Sequence, residues 1–187
     1  MDPAPLMTLR TDTIVALAAQ AGQALARRDL LLVTAESCTG GWIAEAMTSI
    51  AGSSAWFERG FVTYSNLSKQ EMLGVSGATL ETHGAVSEAV AREMVVGALS
   101  HSVAQVGLAV SGIAGPGGGA PGKPVGTVCF AWGIENRIIG NPENKHPGRL
   151  ESVTKHFSGD RRSIRQQAVI AGLGGVAEMI EENSRIC

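Results

Sequence analysis

The hydrophobic positions along the chain alternate between helical and strand spacing, and this alternation predicts most of the secondary structure. Four segments have apolar residues at the spacing of amphipathic helices: residues 11–28, 42–50, 87–101 and 161–182. A shorter helix is expected after residue 64, with Ser65 or Asn66 as its N-cap, and Thr11 or Asp12 is expected to cap the first helix. Five short apolar runs predict strands: residues 31–36, 57–64, 106–114, 125–132 and 150–157.

Strands that alternate with helices are typical of an α/β protein. The pattern predicts a three-layer α/β/α sandwich around a mixed, mostly parallel sheet. With 187 residues, of which 44% are hydrophobic, the chain can bury one continuous core, so a single domain over residues 1–187 is expected. Because 24 residues are glycine and only 4% are aromatic, that core must consist mainly of Ala, Val, Ile and Leu.

Charge and composition exclude several classes of function. The formal net charge is -2, so the chain has no large basic field for nucleic acid or an anionic membrane, although it can hold a small anion locally. Cys38, Cys129 and Cys187 show no paired spacing, and the four histidines are scattered, so neither a disulfide framework nor a metal site is expected. The N-terminal residues lack a signal-peptide pattern, and no apolar run is long enough to span a membrane, which predicts a cytoplasmic protein.

The segment Glu36-Ser37-Cys38-Thr39-Gly40-Gly41 places a hydroxyl at the junction between a predicted strand and a predicted helix. Unpaired backbone N–H groups at such a junction favour negative charge, either on a phosphate or on a developing oxyanion. Ser37 is therefore a candidate nucleophile. The alternative is that Ser37 or Thr39 is an ordinary helix cap and that the glycines form a tight turn.

A second candidate group lies in the segment TYSNLSK, where Tyr64 ends a predicted strand and Lys69 falls in the next helix. A lysine can act as a general base towards a serine only if burial or nearby positive charge brings its pKa well below about 10.4. The alternative is an exposed helix lysine. Tyr64 is the only tyrosine of the chain and by itself indicates little.

Two segments are candidates for anion binding. The segment SGIAGPGGG follows an apolar strand, and its glycines let backbone N–H groups approach a phosphate closely, although a mobile hairpin loop is an equal alternative. It matches neither the dinucleotide fingerprint nor the P-loop pattern. In SGDRRSIR, Ser158 or Asp160 begins the last helix, whose first turn carries Arg161, Arg162 and Arg165. Cations there oppose the helix dipole, so they need an anionic partner, which can be Asp160, Glu151 or a ligand.

The polar segment at residues 135–149 is rich in turn-forming residues and is expected to be a surface excursion between two strands.

Taken in order, several blocks resemble the signature segments of the CinA C-terminal domain family: TAESCTGGWIAEAMTSIAGSS, FVTYSNLSKQEMLGV, GAVSEAVAREM, VSGIAGPGGG with KPVGTV, and FSGDRRSIR. The resemblance covers approximately residues 31–167. It implies a three-layer α/β/α fold and a cytoplasmic bacterial amidohydrolase of pyridine nucleotide salvage, which converts nicotinamide mononucleotide to nicotinate mononucleotide and ammonia. It implies a stand-alone form, because about thirty residues precede the matching blocks, and a segment at 135–149 longer than in most relatives.

Carried over by motif, the resemblance implies that Ser37 is the nucleophile, Lys69 the general base and Tyr64 a residue that assists proton transfer. Backbone N–H groups near Thr39, Gly40 and Gly41 are expected to stabilise the oxyanion. The expected phosphate-binding residues lie in the glycine-rich turn and the last helix: Ser111, Gly112, Ile113, Ala114, Gly115, Arg161 and Arg165.

The resemblance implies no cofactor and no metal, a small nucleotide substrate, and a homo-oligomer (a dimer or larger). One alternative keeps this fold but makes the chain a non-catalytic nucleotide-binding module linked to competence or DNA damage. Ammonia release from nicotinamide mononucleotide distinguishes these two functions. A DNA-binding protein is disfavoured by the net charge of -2.

Overall fold

A mixed β-sheet forms the middle layer of the fold in the computed structural model, which describes residues 4–135 and 147–183. Its strands, in chain order, are β1 Leu32–Glu36, β2 Phe57–Val62, β3 Val106–Gly112, β4 Thr127–Glu135 and β5 Pro147–His156. The strand order across the sheet is β2-β1-β3-β4-β5. Strand β1 pairs in parallel with β2 and β3, whereas β4 is antiparallel to both β3 and β5, so four of the five strands run in one direction.

Helices cover both faces of this sheet. They are α1 Ala4–Ala26, α2 Trp42–Thr48, α3 Asn66–Leu73, α4 Gly77–His83, α5 Glu88–Ser100 and α6 Arg161–Asn183, with a short 3-10 turn at Ser53–Ala55. None of the helices in the described part of the chain has the length and apolar character needed to cross a membrane.

Alternate residues of the strands point into two separate hydrophobic clusters, and this alternation creates the three layers. On β3, Leu108 and Val110 pack with α1, α2 and α6, whereas Ala109 faces α5 on the other side. On β4, Phe130 belongs to the first cluster and Ala131 to the second. Side chains of adjacent strand residues point to opposite faces, so both faces of the central strands must be apolar. The predicted three-layer α/β/α architecture with a mixed sheet is confirmed.

The element boundaries agree with the predictions in most places and differ in a few. Ser65 is the N-cap of α3, with a capping box formed with Ser68, and Ser87 caps α5. Helix α1 begins at Ala4 rather than at residue 11, because Pro5 is tolerated in a first helical turn. Thr11 and Asp12 therefore lie inside the helix and cannot be its cap.

Helix α4 was not predicted, since Leu80 is its only buried residue and one apolar position shows no period. The predicted excursion at 135–149 falls mostly on residues 136–146, which lie outside the described residues, and β5 begins at Pro147, earlier than predicted.

The topology brings the candidate segments together at one edge of the sheet. Strands β1 and β2 are parallel neighbours, so the turn after Glu36 and the loop after Val62 leave the sheet at the same edge. Strand β3 is parallel to β1 on its other side and ends there too, at Gly112. Ligands of open α/β sheets bind at the carboxyl ends of the parallel strands, which makes this edge the candidate site.

Candidate active site

The turn between β1 and α2 holds Ser37 in a fixed position. Gly40 and Gly41 have φ angles of +62° and +92°, in the left-handed region that glycine adopts without strain. The Gly40 N–H donates to the Ser37 carbonyl at 3.0 Å, and the Ser37 N–H donates to the Val110 carbonyl at 3.0 Å. The turn is thus anchored to β3, and the Ser37 residue is only 8% exposed.

The side chain of Lys69 reaches Ser37 from helix α3. The Lys69 Nζ atom lies 3.1 Å from the Ser37 Oγ atom and donates to the Thr63 carbonyl at 2.9 Å. Lys69 is 1% exposed, so the alternative of an exposed helix lysine is wrong. The capping box at Ser65 fixes the start of α3, and this sets the position from which the lysine extends.

Burial controls the charge of this amine. Desolvation disfavours the ammonium form and lowers the pKa of Lys69 from its ordinary value, and the only opposing influence is the neighbouring Cys38 thiol. No carboxylate of the described residues forms an ion pair with Lys69. The amine donates to the Thr63 carbonyl and to the Ser37 Oγ atom. In its neutral form an amine also has a lone pair, which at this distance can accept the proton of a serine hydroxyl.

The neighbouring thiol is not a competing nucleophile. Burial raises the pKa of Cys38 to about 12, so the thiolate that attacks electrophiles is almost absent near neutral pH. Of these two neighbouring side chains, Ser37 therefore stays the candidate nucleophile.

Glu36, which the sequence analysis did not assign, holds the other end of the turn. Its buried carboxylate accepts hydrogen bonds from the N–H groups of Gly41 at 3.1 Å, Ile43 at 3.0 Å and Ala44 at 2.8 Å. The N-cap residue Gly41 has no side chain to bind these N–H groups, so Glu36 caps α2 from the preceding strand.

This cap corrects the expected oxyanion site. The Gly41 N–H donates to Glu36 and the Gly40 N–H to Ser37, so neither is free to bind a substrate oxygen. Among the residues that the structure describes, the N–H groups of Cys38 and Thr39 have no backbone acceptor. These two groups follow Ser37 directly, so an oxyanion role for Thr39 stays a prediction, and Cys38 is a further candidate donor that the sequence analysis did not name.

The Tyr64 hydroxyl is hydrogen-bonded to Arg161 rather than to the Ser37 and Lys69 pair. Its hydroxyl accepts a hydrogen bond from Arg161 Nη2 at 2.8 Å, and within the described residues it has no hydrogen bond to Ser37 or Lys69. The Tyr64 residue is 61% exposed, at the surface of the site. Its assistance to proton transfer stays a prediction, and its observed contact is with Arg161.

A basic cavity of about 590 Å³ lies next to the turn between β1 and α2. It is lined by Trp42, Asp160, Arg161, Arg162 and Arg165. Arg165 donates to the carbonyls of Cys38 at 3.0 Å and Thr39 at 2.7 Å, and its guanidinium lies 5.3 Å from the centre of the Trp42 ring. These contacts place the cavity next to the turn that follows Ser37.

The two carboxylates that sequence analysis offered as partners for these arginines are engaged elsewhere. Asp160 accepts from the Ser163 N–H at 2.7 Å as the cap of α6, and Glu151 pairs with Arg149. No guanidinium of the cavity forms an ion pair in the described part of the chain. The cavity is therefore positively charged and suited to an anion.

The glycine-rich segment contributes fewer binding groups than expected. Ser111 and Gly112 belong to β3 and pair with β4, and the Ile113 N–H donates to the Thr127 carbonyl at 2.8 Å. The Ser111 hydroxyl donates to the Ala85 carbonyl at 2.7 Å. Ser111 and Ile113 are thus held internally, whereas the N–H groups of Ala114 and Gly115 have no backbone acceptor among the described residues.

Arg161 joins the glycine-rich turn to the rest of the site. Its Nη1 atom donates to the Gly115 carbonyl at 2.8 Å, while Nη2 binds Tyr64. Arg161 therefore lies between the cavity, the glycine-rich turn and the loop after β2. The described residues contain no cluster of His, Cys, Asp or Glu that could hold a metal ion.

Comparison with known proteins gives one family. The model of the CinA C-terminal domain matches residues 14–180. The chain is 48% identical to the nicotinamide-nucleotide amidohydrolase PncC of Escherichia coli K12 over 173 residues, which is 91% of this chain and 97% of that protein. It is also 48% identical to the protein of the same name from Pseudomonas putida over 168 residues, which is 90% of this chain and 98% of that protein.

A solved structure shows the same fold. The competence/damage inducible protein CihA from Agrobacterium tumefaciens superimposes with a TM-score of 0.80 at 43% sequence identity, over 88% of this chain and 93% of that chain. Sequence and structure thus agree, and the chain belongs to the CinA C-terminal domain family.

Proposed function

We propose that this protein is a nicotinamide-nucleotide amidohydrolase that uses Ser37 as nucleophile and Lys69 as general base. The observation that carries the proposal is the 3.1 Å contact between the Lys69 Nζ and Ser37 Oγ atoms, made by a lysine that is 1% exposed. The substrate class comes from the relatives named nicotinamide-nucleotide amidohydrolase, at 48% identity over most of the chain.

The first half of the reaction transfers the acyl group to the enzyme. The neutral Lys69 amine takes the Ser37 proton as Oγ attacks the carboxamide carbon of nicotinamide mononucleotide. The carbonyl oxygen becomes an oxyanion, which the N–H groups of Cys38 and Thr39 stabilise. Lys69 then gives its proton to the departing nitrogen, so the carbon–nitrogen bond breaks and ammonia leaves an ester on Ser37.

The second half repeats the chemistry with water. Lys69 removes a proton from a water molecule, which attacks the ester carbonyl. The ester bond breaks, Ser37 regains its proton from Lys69, and nicotinate mononucleotide is released. The Thr63 carbonyl, 2.9 Å from Nζ, holds the amine in place throughout, because it accepts a hydrogen bond from both the neutral and the charged amine.

The phosphate of the substrate binds in the basic cavity. Arg161, Arg162 and Arg165 line it together with one carboxylate, that of Asp160, which caps α6 and forms no ion pair with them in the described residues. A phosphate is a strong acceptor for these three donors. The free N–H groups of Ala114 and Gly115 lie at the same edge of the sheet, since the Gly115 carbonyl binds Arg161. The N-terminus of α2 is not the phosphate site, because the Glu36 carboxylate already occupies it.

The test is ammonia release from nicotinamide mononucleotide by the purified protein, with nicotinate mononucleotide as the second product. We expect one ammonia for each nicotinate mononucleotide formed, with no added metal or cofactor. Tight binding of the nucleotide without turnover would instead identify a non-catalytic nucleotide-binding module. We also expect the chain to be a single domain that acts in the cytoplasm as a homo-oligomer, with its subunit number measurable by light scattering.

A further inference from the structure

The turn that carries Ser37 is held from two opposite sides. On one side the buried carboxylate of Glu36, 1% exposed, binds three N–H groups at the start of α2. On the other side the guanidinium of Arg165 binds the carbonyls of Cys38 and Thr39. Both side chains thus bind the main chain of the turn.

These contacts fix the direction of the free N–H groups. In a planar trans peptide the carbonyl and the following N–H point in opposite directions. Because the Cys38 carbonyl points towards Arg165, the Thr39 N–H points away from it. The Ser37 carbonyl accepts from Gly40, so the Cys38 N–H likewise points away from the inside of the turn.

The buried charge of the Glu36 carboxylate is not neutralised by a cationic side chain of the described residues. It forms no ion pair with any described residue, and its remaining partner is the Thr34 hydroxyl at 3.4 Å. A buried carboxylate without a cation is costly unless N–H groups and the positive end of a helix compensate it. Such a group next to the nucleophile contributes by holding the backbone in one geometry.

We propose that Glu36 and Arg165 are positioning residues, which together orient the Cys38 and Thr39 N–H groups and the Ser37 hydroxyl for acyl transfer. This inference rests on the proposed function for its reaction, but the geometry of the turn can be tested separately. A displacement of about 1 Å in such an arrangement typically lowers a rate about 100-fold, so loss of either contact should lower kcat strongly.

The decisive variant is Glu36→Gln, which keeps the size of the side chain but replaces one acceptor oxygen by an N–H₂ donor that faces backbone N–H groups. We expect kcat for ammonia release to fall roughly 10- to 100-fold, with KM changed less than threefold. Labelling of Ser37 by a fluorophosphonate should slow by a similar factor. Amide hydrogen exchange at Gly41, Ile43 and Ala44 should become faster.

A matched control separates positioning from general loss of stability. Glu93 binds the Ser76 N–H at 2.7 Å and the Thr79 hydroxyl at 2.5 Å, and so holds the start of α4 in the same manner. Glu93→Gln should lower the melting temperature without slowing the labelling of Ser37. For the second side, Arg165→Lys should lower kcat, whereas Arg59→Lys should not, although Arg59 also binds a backbone carbonyl, that of His101.

The outcomes distinguish the two proposals. If the wild-type protein releases no ammonia from nicotinamide mononucleotide, yet Glu36→Gln slows fluorophosphonate labelling and speeds exchange, the positioning role stands and the substrate is wrong. If Glu36→Gln and Arg165→Lys retain wild-type kcat and labelling rates, the positioning role is refuted. Equal slowing of labelling by Glu36→Gln and Glu93→Gln would refute it as well, because it would indicate a loss of stability alone.

Discussion

Replacement of Lys69 by methionine tests the proposed base in the most informative way, because the structure predicts changes in both activity and stability. Methionine has a similar unbranched side chain, so it fills the buried space that Lys69 occupies. It cannot accept the Ser37 proton, and it cannot donate to the Thr63 carbonyl. The variant therefore removes the chemistry while it preserves most of the packing.

The expected loss of activity follows from the value of one general base. Such a group contributes roughly 10²- to 10⁴-fold to a rate, which corresponds to about 2.7 to 5.4 kcal/mol of transition-state stabilisation. We expect kcat/KM for nicotinamide mononucleotide to fall within this range in Lys69→Met. The wild-type kcat/KM should rise with pH until Lys69 of the free enzyme is neutral and then level off, whereas the residual activity of the variant should lack this rise.

Stability provides an independent measure of the same pKa. Burial lowers the folded-state pKa of Lys69 below its unfolded value of 10.5, so the unfolded chain binds more protons between these two values. The wild-type free energy of unfolding therefore gains a contribution as pH rises from the folded pKa to 10.5, by about 1.4 kcal/mol for each unit between them. Below the folded-state pKa of Lys69, burial of the ammonium form lowers the free energy of unfolding by its full amount.

Urea unfolding of wild type and Lys69→Met across this pH range measures that contribution as a difference. We expect the stability of the wild type relative to the variant to increase with pH up to about 10.5. Lys155→Met, which makes the same replacement at an exposed position of β5, is the matched control for the change of side chain. A pH-independent difference, together with wild-type activity in Lys69→Met, would refute the assignment of Lys69 as a buried neutral base.

Three further predictions concern the surroundings of the Ser37 and Lys69 pair. Arg161→Gln should raise KM for nicotinamide mononucleotide at least about tenfold, since a hydrogen bond to a charged group is worth about 1.5–3 kcal/mol. The KM for nicotinamide riboside, which lacks the phosphate, should not change, and equal effects on both substrates would contradict phosphate binding by Arg161. Tyr64→Phe should raise KM more than it lowers kcat, because the Tyr64 hydroxyl binds Arg161, and a double-mutant cycle should show that the two residues are coupled. A large fall in kcat alone would instead support proton transfer by Tyr64. Iodoacetamide at pH 7.5 should leave Cys38 unmodified in the folded protein, because burial raises the pKa of its thiol to about 12. Peptide mass spectrometry measures the modification, and rapid alkylation would show that the thiol is accessible.

The meeting of Ser37 and Lys69 could be predicted from the sequence because topology dictates it. Each residue follows a strand, and the two strands are parallel neighbours, so both segments leave the sheet at the same edge. The burial of Lys69 was a requirement of the mechanism that the sequence could not demonstrate. The partners of the Lys69 amine, Ser37 and Thr63, lie outside helix α3, and the amine meets both only in the folded chain.

The acceptors to which individual backbone N–H groups donate could not be predicted from the sequence. The glycines at positions 40 and 41 indicated a tight turn correctly, but their N–H groups are used by Ser37 and Glu36. The reach of the Glu36 side chain to residues five to eight positions ahead follows no local pattern. Tyr64 illustrates the same limit, since its partner Arg161 lies 97 positions away.

The role of Ser37 is best examined by measuring the turnover of nicotinamide mononucleotide by Ser37→Ala. The methyl group preserves the backbone hydrogen bonds of Ser37 to Val110 and Gly40, so the fold and the basic cavity should persist. Ser102→Ala, which removes another buried hydroxyl, serves as the control and should retain turnover. We predict no detectable ammonia release by Ser37→Ala with nucleotide binding retained, whereas turnover close to that of the wild type would contradict the account.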